Sequence, residues 1–303
     1  MTSLPKGVYA AAITPRRLGL QDINLGVMWE LIDFLSERKV AGIALLGATG
    51  EFVHYSNSER MRVMGLAPKR SRVPMIVNVS HSNLDGAVEL AGAAEASGAA
   101  GVLLAPPYFF RYSPADILAF YYRFRDEADI PIPTLLYNLP QFGNGIPVDV
   151  SLQLLREGVV QGIKDSAGSW DDFSALVAAR RESEFTLTLG NDGLFTPAVS
   201  EGIDGVISGC ACAVPELIVA LDTAIRGGNT EVAAKLQTRL TEFIAWLDRF
   251  PTPVGVREAA CLRGMTLGPN SSPASASQKA LLDDYRNWFC DWLKDVLPEC
   301  KLA

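Results

Sequence analysis

Eight times in this chain a short run of apolar and β-branched residues gives way to a turn, and then to a stretch whose apolar residues recur every three or four positions. The runs are Val8–Thr14, Gly42–Leu46, Met75–Val79, Gly101–Leu104, Thr134–Tyr137, Gln161–Lys164, Thr186–Leu189 and Gly205–Ser208. A strand apolar along its whole length is buried on both faces, which is the habit of parallel strands joined by helical crossovers. Eight such units match a closed (β/α)8 TIM barrel, whose helices form an outer ring. The alternation alone also admits an open Rossmann-like sheet.

The intervening stretches carry helical spacing, as in Leu25-Met28-Trp29-Leu31-Ile32-Leu35 and Ile117-Leu118-Phe120-Tyr121-Phe124. After Cys212 the strand-like runs stop. Pro215–Phe250, Thr252–Leu267 and Ala276–Leu297 read as helical, divided by Pro251, Pro253 and the Gly268–Pro273 stretch. The expected organisation is therefore a barrel over residues 1–214 and a C-terminal helical extension over 215–303. A length of 303 residues suits one such barrel with its extension.

Charge narrows the partners. A formal charge of -7 leaves no dense basic surface for nucleic acid or an anionic membrane. No apolar run approaches the length of a membrane span, and the first fifteen residues lack the apolar core of a signal peptide. A cytoplasmic protein acting on small solutes is expected. The five cysteines are odd in number and irregularly spaced, which does not suit a disulfide framework. Cys210 and Cys212 have no second Cys/His pair to complete a zinc site, so burial as small apolar residues is the expectation and no metal is assigned.

In a parallel barrel the active site forms where the strands end. Three ends are chemically unusual: Gly47-Ala48-Thr49-Gly50-Glu51, Tyr137-Asn138-Leu139-Pro140 and Lys164-Asp165-Ser166. Of the eight lysines only Lys164 closes an expected core strand. Apolar walls disfavour an ammonium ion and leave more neutral amine, which attacks ketones. The protonated imine that results is an electron sink for a carbanion on the next carbon. A buried ion pair with Asp165 or another carboxylate is the alternative for Lys164. Tyr137, ending the neighbouring strand, is placed to shuttle protons, or else packs by its ring with its hydroxyl satisfied. The amides of Ala48 and Thr49, with the Thr49 hydroxyl, form a turn suited to a carboxylate. Neither a phosphate loop of the Walker pattern nor a GxGxxG after the first strand is present, which disfavours a nucleotide-binding α/β protein. His54, His81 and Glu51 read as structural residues of loops or surface.

Taken together, Ala12-Ile13-Thr14-Pro15, Gly47–Glu51, Tyr137–Pro140, Gly162-Ile163-Lys164-Asp165-Ser166, Gly190-Asn191-Asp192 and Gly202–Ser208 resemble the dihydrodipicolinate synthase / N-acetylneuraminate lyase family. The resemblance spans the barrel and reaches into the helical tail. It implies a (β/α)8 barrel with a helical extension, a homotetramer, and a class I aldolase acting on pyruvate or its aldols without metal or cofactor. Carried over by motif, Lys164 would form the Schiff base, Tyr137 would move the protons and Thr49 would join that relay. Ala48 and Thr49 would hold the 2-oxo acid carboxylate, and Gly190, Asp192 and Gly209 would complete the substrate contacts.

The departures bear on the substrate. Lysine-pathway synthases resemble a loop with two threonines, a second tyrosine after the fourth strand, and an arginine soon after the tyrosine motif. Here Ala48, Phe109 and Phe142 stand at those positions. Sialic acid lyases resemble an acidic pair after the seventh strand, but Gly193 follows Asp192. A 2-keto-3-deoxy sugar acid substrate is the leading expectation, with Phe109, Phe110 and Phe142 making the pocket partly apolar. Synthase-like condensation, a dehydratase or hydratase-aldolase, and a catalytically reduced 2-oxo acid binder are the alternatives.

Overall fold

The computed structural model of the chain describes residues 4–17 and 22–303. Eight parallel strands close into a ring: β1 (Gly7–Ala11), β2 (Gly42–Leu45), β3 (Met75–Asn78), β4 (Gly101–Leu104), β5 (Thr134–Asn138), β6 (Gly162–Asp165), β7 (Thr186–Leu189) and β8 (Gly205–Ser208). All eight sequence runs are strands, within a few residues at their ends. The open sheet is excluded by the β1–β8 pairing, in register from Gly7↔Gly205 to Ala10↔Ser208.

Strand alternation divides the apolar residues into two cores. Tyr9, Ala11, Ala44, Ile76, Leu103, Leu135, Tyr137 and Ile207 fill the ring's interior. Their sequence neighbours, such as Val8, Ile43, Val77, Leu136 and Val206, face the helices and belong to the larger outer core. Burying both faces explains why the runs show no polar alternation.

The outer helices are α1 (Leu25–Glu37), α2 (Asn57–Arg70), α3 (Leu84–Ala96), α4 (Pro114–Ala128), α5 (Val148–Arg156), α6 (Trp170–Ala179), α7 (Phe195–Ser200) and α8 (Pro215–Arg226). Capping marks their starts: Ser56 and Ser113 each accept the backbone N–H three residues on, while Glu59 and Asp116 accept in return from the cap's own N–H. α9 (Thr230–Leu247), α10 (Val254–Leu262) and α11 (Ala276–Glu299) follow. The expected single helical segment over 215–250 is two helices, because Gly227-Gly228 breaks it and Asn229 caps the next. The expected division at 214/215 groups α8 with the extension; α8 packs on α7 and β1 as the eighth outer helix, and also on α9.

An aromatic layer joins α9 to α11, with Phe243 stacked on Trp292 at 5.4 Å and Trp246 on Trp288 at the same distance. No helix of the described residues is long and apolar enough to cross a membrane. Cys210 and Cys212 are buried with free thiols.

The β1–β8 seam that closes the ring leaves no space above Gly205, where a Cβ would lie 2.2 Å from the carbonyl oxygen of Gly7. That neighbour is backbone inside the sheet and cannot turn aside. Gly205→Ala is therefore expected to lower unfolding stability by at least about 2 kcal/mol in a urea titration.

Candidate active site

The site is built by the register of β5 and β6. Tyr137 pairs with Lys164 and Asn138 with Asp165, so the first pair faces the ring's interior and the second faces away. Asn138 donates from Nδ2 to Asp165 Oδ1 at 2.6 Å. The carboxylate beside Lys164 in sequence is thus on the opposite face of the strand, engaged elsewhere.

Lys164 is 4% exposed. Its Nζ lies 3.4 Å from the Tyr137 hydroxyl and 4.4 Å from that ring's centroid, and the hydroxyl is its hydrogen-bond partner among the described residues. The Tyr137 hydroxyl also receives the Ala48 N–H at 3.4 Å. Amine, phenol and the Gly47–Glu51 turn therefore meet at one point. Gly190 makes room for them, since a Cβ there would lie 2.0 Å from Ser166 Oγ and 2.7 Å from Lys164 Cε.

These groups open into a cavity of about 380 Å³ lined by Ala48, Thr49, Tyr137, Lys164, Gly190, Asp192 and Gly209, among others. The seven residues carried over by motif thus come together around one space. Asp192 accepts the Cys210 N–H at 3.3 Å. Burial raises its carboxyl pKa, opposed by hydrogen bonds from Ser208 and Cys210 and by the charge of Lys164.

Two expectations change. Phe109 and Phe110 do not line the cavity: Phe109 has φ 82 and is 88% exposed, so the left-handed turn carries its ring outward. Phe142 does line it, and Tyr108 lines an adjoining one. Glu51, expected as a structural residue of a loop or the surface, is in a loop but buried. It is 5% exposed, ion-paired to the equally buried Arg257 of α10, and stands 4.0 Å from Arg16. Arg257 also donates to the carbonyls of Leu267 and Thr14.

Sequence reasoning missed the extension's share. Leu247, Asp248, Phe250 and Pro253 form part of the cavity wall, and Arg257 braces the Gly47–Glu51 turn from outside. None lies at a strand end, so no motif spacing could have pointed to them. Glu51 needs that brace because its backbone sits at φ 54, a region costly for a side chain to hold.

The comparisons give the family. A model of the dihydrodipicolinate synthetase family matches residues 4–285. The chain belongs to the dihydrodipicolinate synthetase family. It is 32% identical over 281 residues to the 4-hydroxy-tetrahydrodipicolinate synthase of Methanococcoides burtonii, covering 91% of this chain and 96% of that protein. Identity to the synthase of Methanosarcina mazei is 33% over 260 residues, covering 84% and 89%. The crystal structure of dihydrodipicolinate synthase from Aquifex aeolicus superposes with a TM-score of 0.87 at 25% identity, over 95% of this chain and 98% of that one. Members of the family are class I aldolase or lyase-type enzymes, and this chain is an enzyme of that class.

Two outcomes are expected from the buried charges. Arg257→Met leaves Glu51 buried with Arg16, at 4.0 Å, as its remaining cation among the described residues, and should cost about 3 kcal/mol of unfolding free energy, part of it recovered by adding Glu51→Gln. Asp165 is pushed up to about 6 by burial, against the lowering effect of the Asn138 hydrogen bond. The folded chain then holds this proton more tightly than the unfolded one, so stability falls as pH rises from about 4 to about 6. Asp165→Asn should remove about 2 kcal/mol of that fall when unfolding free energies are compared at the two pH values.

Proposed function

We propose that the enzyme forms an imine between Lys164 and pyruvate and joins or parts a carbon–carbon bond at the pyruvate methyl carbon. The observation that carries this reading is an enclosed amine that makes no salt bridge among the described residues, 3.4 Å from a phenol, inside a cavity of substrate size.

In this reading the pyruvate carboxylate lies on the amides of Ala48 and Thr49 and on the Thr49 hydroxyl, with Gly190, Asp192 and Gly209 along the rest of the substrate. Lys164 Nζ attacks the C2 carbonyl, and the oxygen leaves as water after accepting protons that pass through Tyr137. Loss of a C3 proton gives the enamine. Its C3 attacks an aldehyde carbon, the aldehyde oxygen takes up a proton, and water then hydrolyses the imine to free a 4-hydroxy-2-oxo acid and Lys164. The imine itself is the electron sink, so the reading calls for no metal or cofactor.

Between the finer readings, synthase-like condensation is better supported than cleavage of a 2-keto-3-deoxy sugar acid, because the relatives at 32% and 33% identity are named as synthases. The exposed Phe109–Phe110 pair supports self-association, and a homotetramer is part of this proposal.

Borohydride reduction in the presence of pyruvate should add one reduced pyruvyl group to the protein, mapped by peptide mass to Lys164 and absent from Lys164→Ala. Tyr137→Phe should lower turnover by about 10²–10³-fold while adduct formation slows rather than disappears. A pyruvyl adduct that persists unchanged in Lys164→Ala would overturn the assignment.

A further inference from the structure

Away from the two adjoining chambers at the barrel mouth, a groove of about 340 Å³ runs along the outside of the helical extension. Its walls are Glu242, Ala245 and Trp246 of α9, Arg249 just after that helix, and Trp288 of α11. The family's model reaches residue 285, so the α11 wall lies beyond the part of the chain that the match covers.

The groove is aromatic because α9 and α11 bring together more rings than they enclose. Phe243, Phe289 and Trp292 are buried, whereas Trp246 and Trp288 are half-buried, with ring centroids 5.4 Å apart and planes 29° from parallel. Ala245 is small and exposed, which leaves the two indoles approachable by a flat molecule.

Of the two charged groups in the walls, Glu242 is engaged. Its Oε2 accepts the Trp292 indole N–H at 2.8 Å and an Arg239 N–H at 3.2 Å. Arg249 is exposed, with its guanidinium 4.3 Å from the Trp246 centroid and with no hydrogen bond or ion pair among the described residues. A guanidinium resting on an indole keeps its N–H groups in its own plane, where they can meet both oxygens of a carboxylate. An aromatic amine would instead meet a like charge, and an aliphatic acid would forgo the ring contacts.

We propose that this groove is a ligand site, separate from the cavity that holds Lys164, for a small planar aromatic carboxylate, with its rings against Trp246 and Trp288 and its carboxylate on Arg249. A space of about 340 Å³ stands at the small end of ligand sites, which suits a molecule of one or two rings.

Isothermal titration calorimetry of the full chain with 2-naphthoate, 2-naphthamide and cyclohexanecarboxylate tests the site. 2-Naphthoate should bind once per chain, at least about fivefold tighter than either of the others. Arg249→Gln should weaken 2-naphthoate by about fivefold and leave 2-naphthamide unchanged. Ala245→Leu fills the groove from an exposed helix position and should weaken both by at least about tenfold, with the urea midpoint of each variant showing that it folds as the parent does. Equal binding of acid and amide, or no response to Arg249→Gln, overturns the proposal. Displacement of 2-naphthoate by saturating pyruvate also overturns it and puts the ligand in the cavity of Lys164. Absence of binding overturns it as well, and if sedimentation then shows Ala245→Leu breaking an assembly of the parent chain, the groove belongs to a second copy.

Discussion

Closure of the parallel ring, with β5 and β6 paired so that Tyr137 stands beside Lys164, is the constraint on which the rest depends. The period of a strand is two, so a slip of one residue would turn Lys164 toward the helices and Asp165 into the lumen. Parallel strands cannot be pinned by tight turns. Here the register is held by the helical crossovers and by both cores at once, and the pairs on either face reinforce it: apolar side chains and Tyr137 within, Asn138 and Asp165 without. Lys164 is held in place by this closely packed layer.

The helical extension completes the mouth as well as covering the barrel. α9 and the segment after it supply Leu247, Phe250 and Pro253 to the cavity wall, while α10 sends Arg257 to Glu51. The turn that presents the Ala48 and Thr49 amides is therefore fixed from two sides, by β2 before it and by a buried ion pair beyond it. A buried pair contributes little net stability against an apolar substitute, but breaking it is costly, which makes it a means of fixing a conformation.

The departures from the family's motifs are unevenly placed. Lys164, Tyr137 and the Gly47–Glu51 turn meet at one point. Ala48 and Phe142 lie where the two chambers meet, and Phe109 lies outside them on a left-handed turn. The convergence of polar groups at the Lys164 amine and the shape of the space beside it are in this way separable, because one depends on side chains meeting at an atom and the other on which carbon surfaces border a space.

Read from residues alone, the eight strands, their parallel arrangement, the candidate amine and phenol, and the glycine-rich turn were all legible, because each is a local signal: apolar runs, turn residues, or an unusual side chain at a strand's end. Tertiary structure decided everything that depends on distant chain segments meeting. It closed the sheet through β1 and β8, buried Glu51 against an arginine 206 residues away, turned Phe109 out and Phe142 in, and opened the second chamber beside the first. Spacing along a chain reports which residues share a strand face. It carries no record of which side chain, arriving from another element, will satisfy a buried charge or border a cavity.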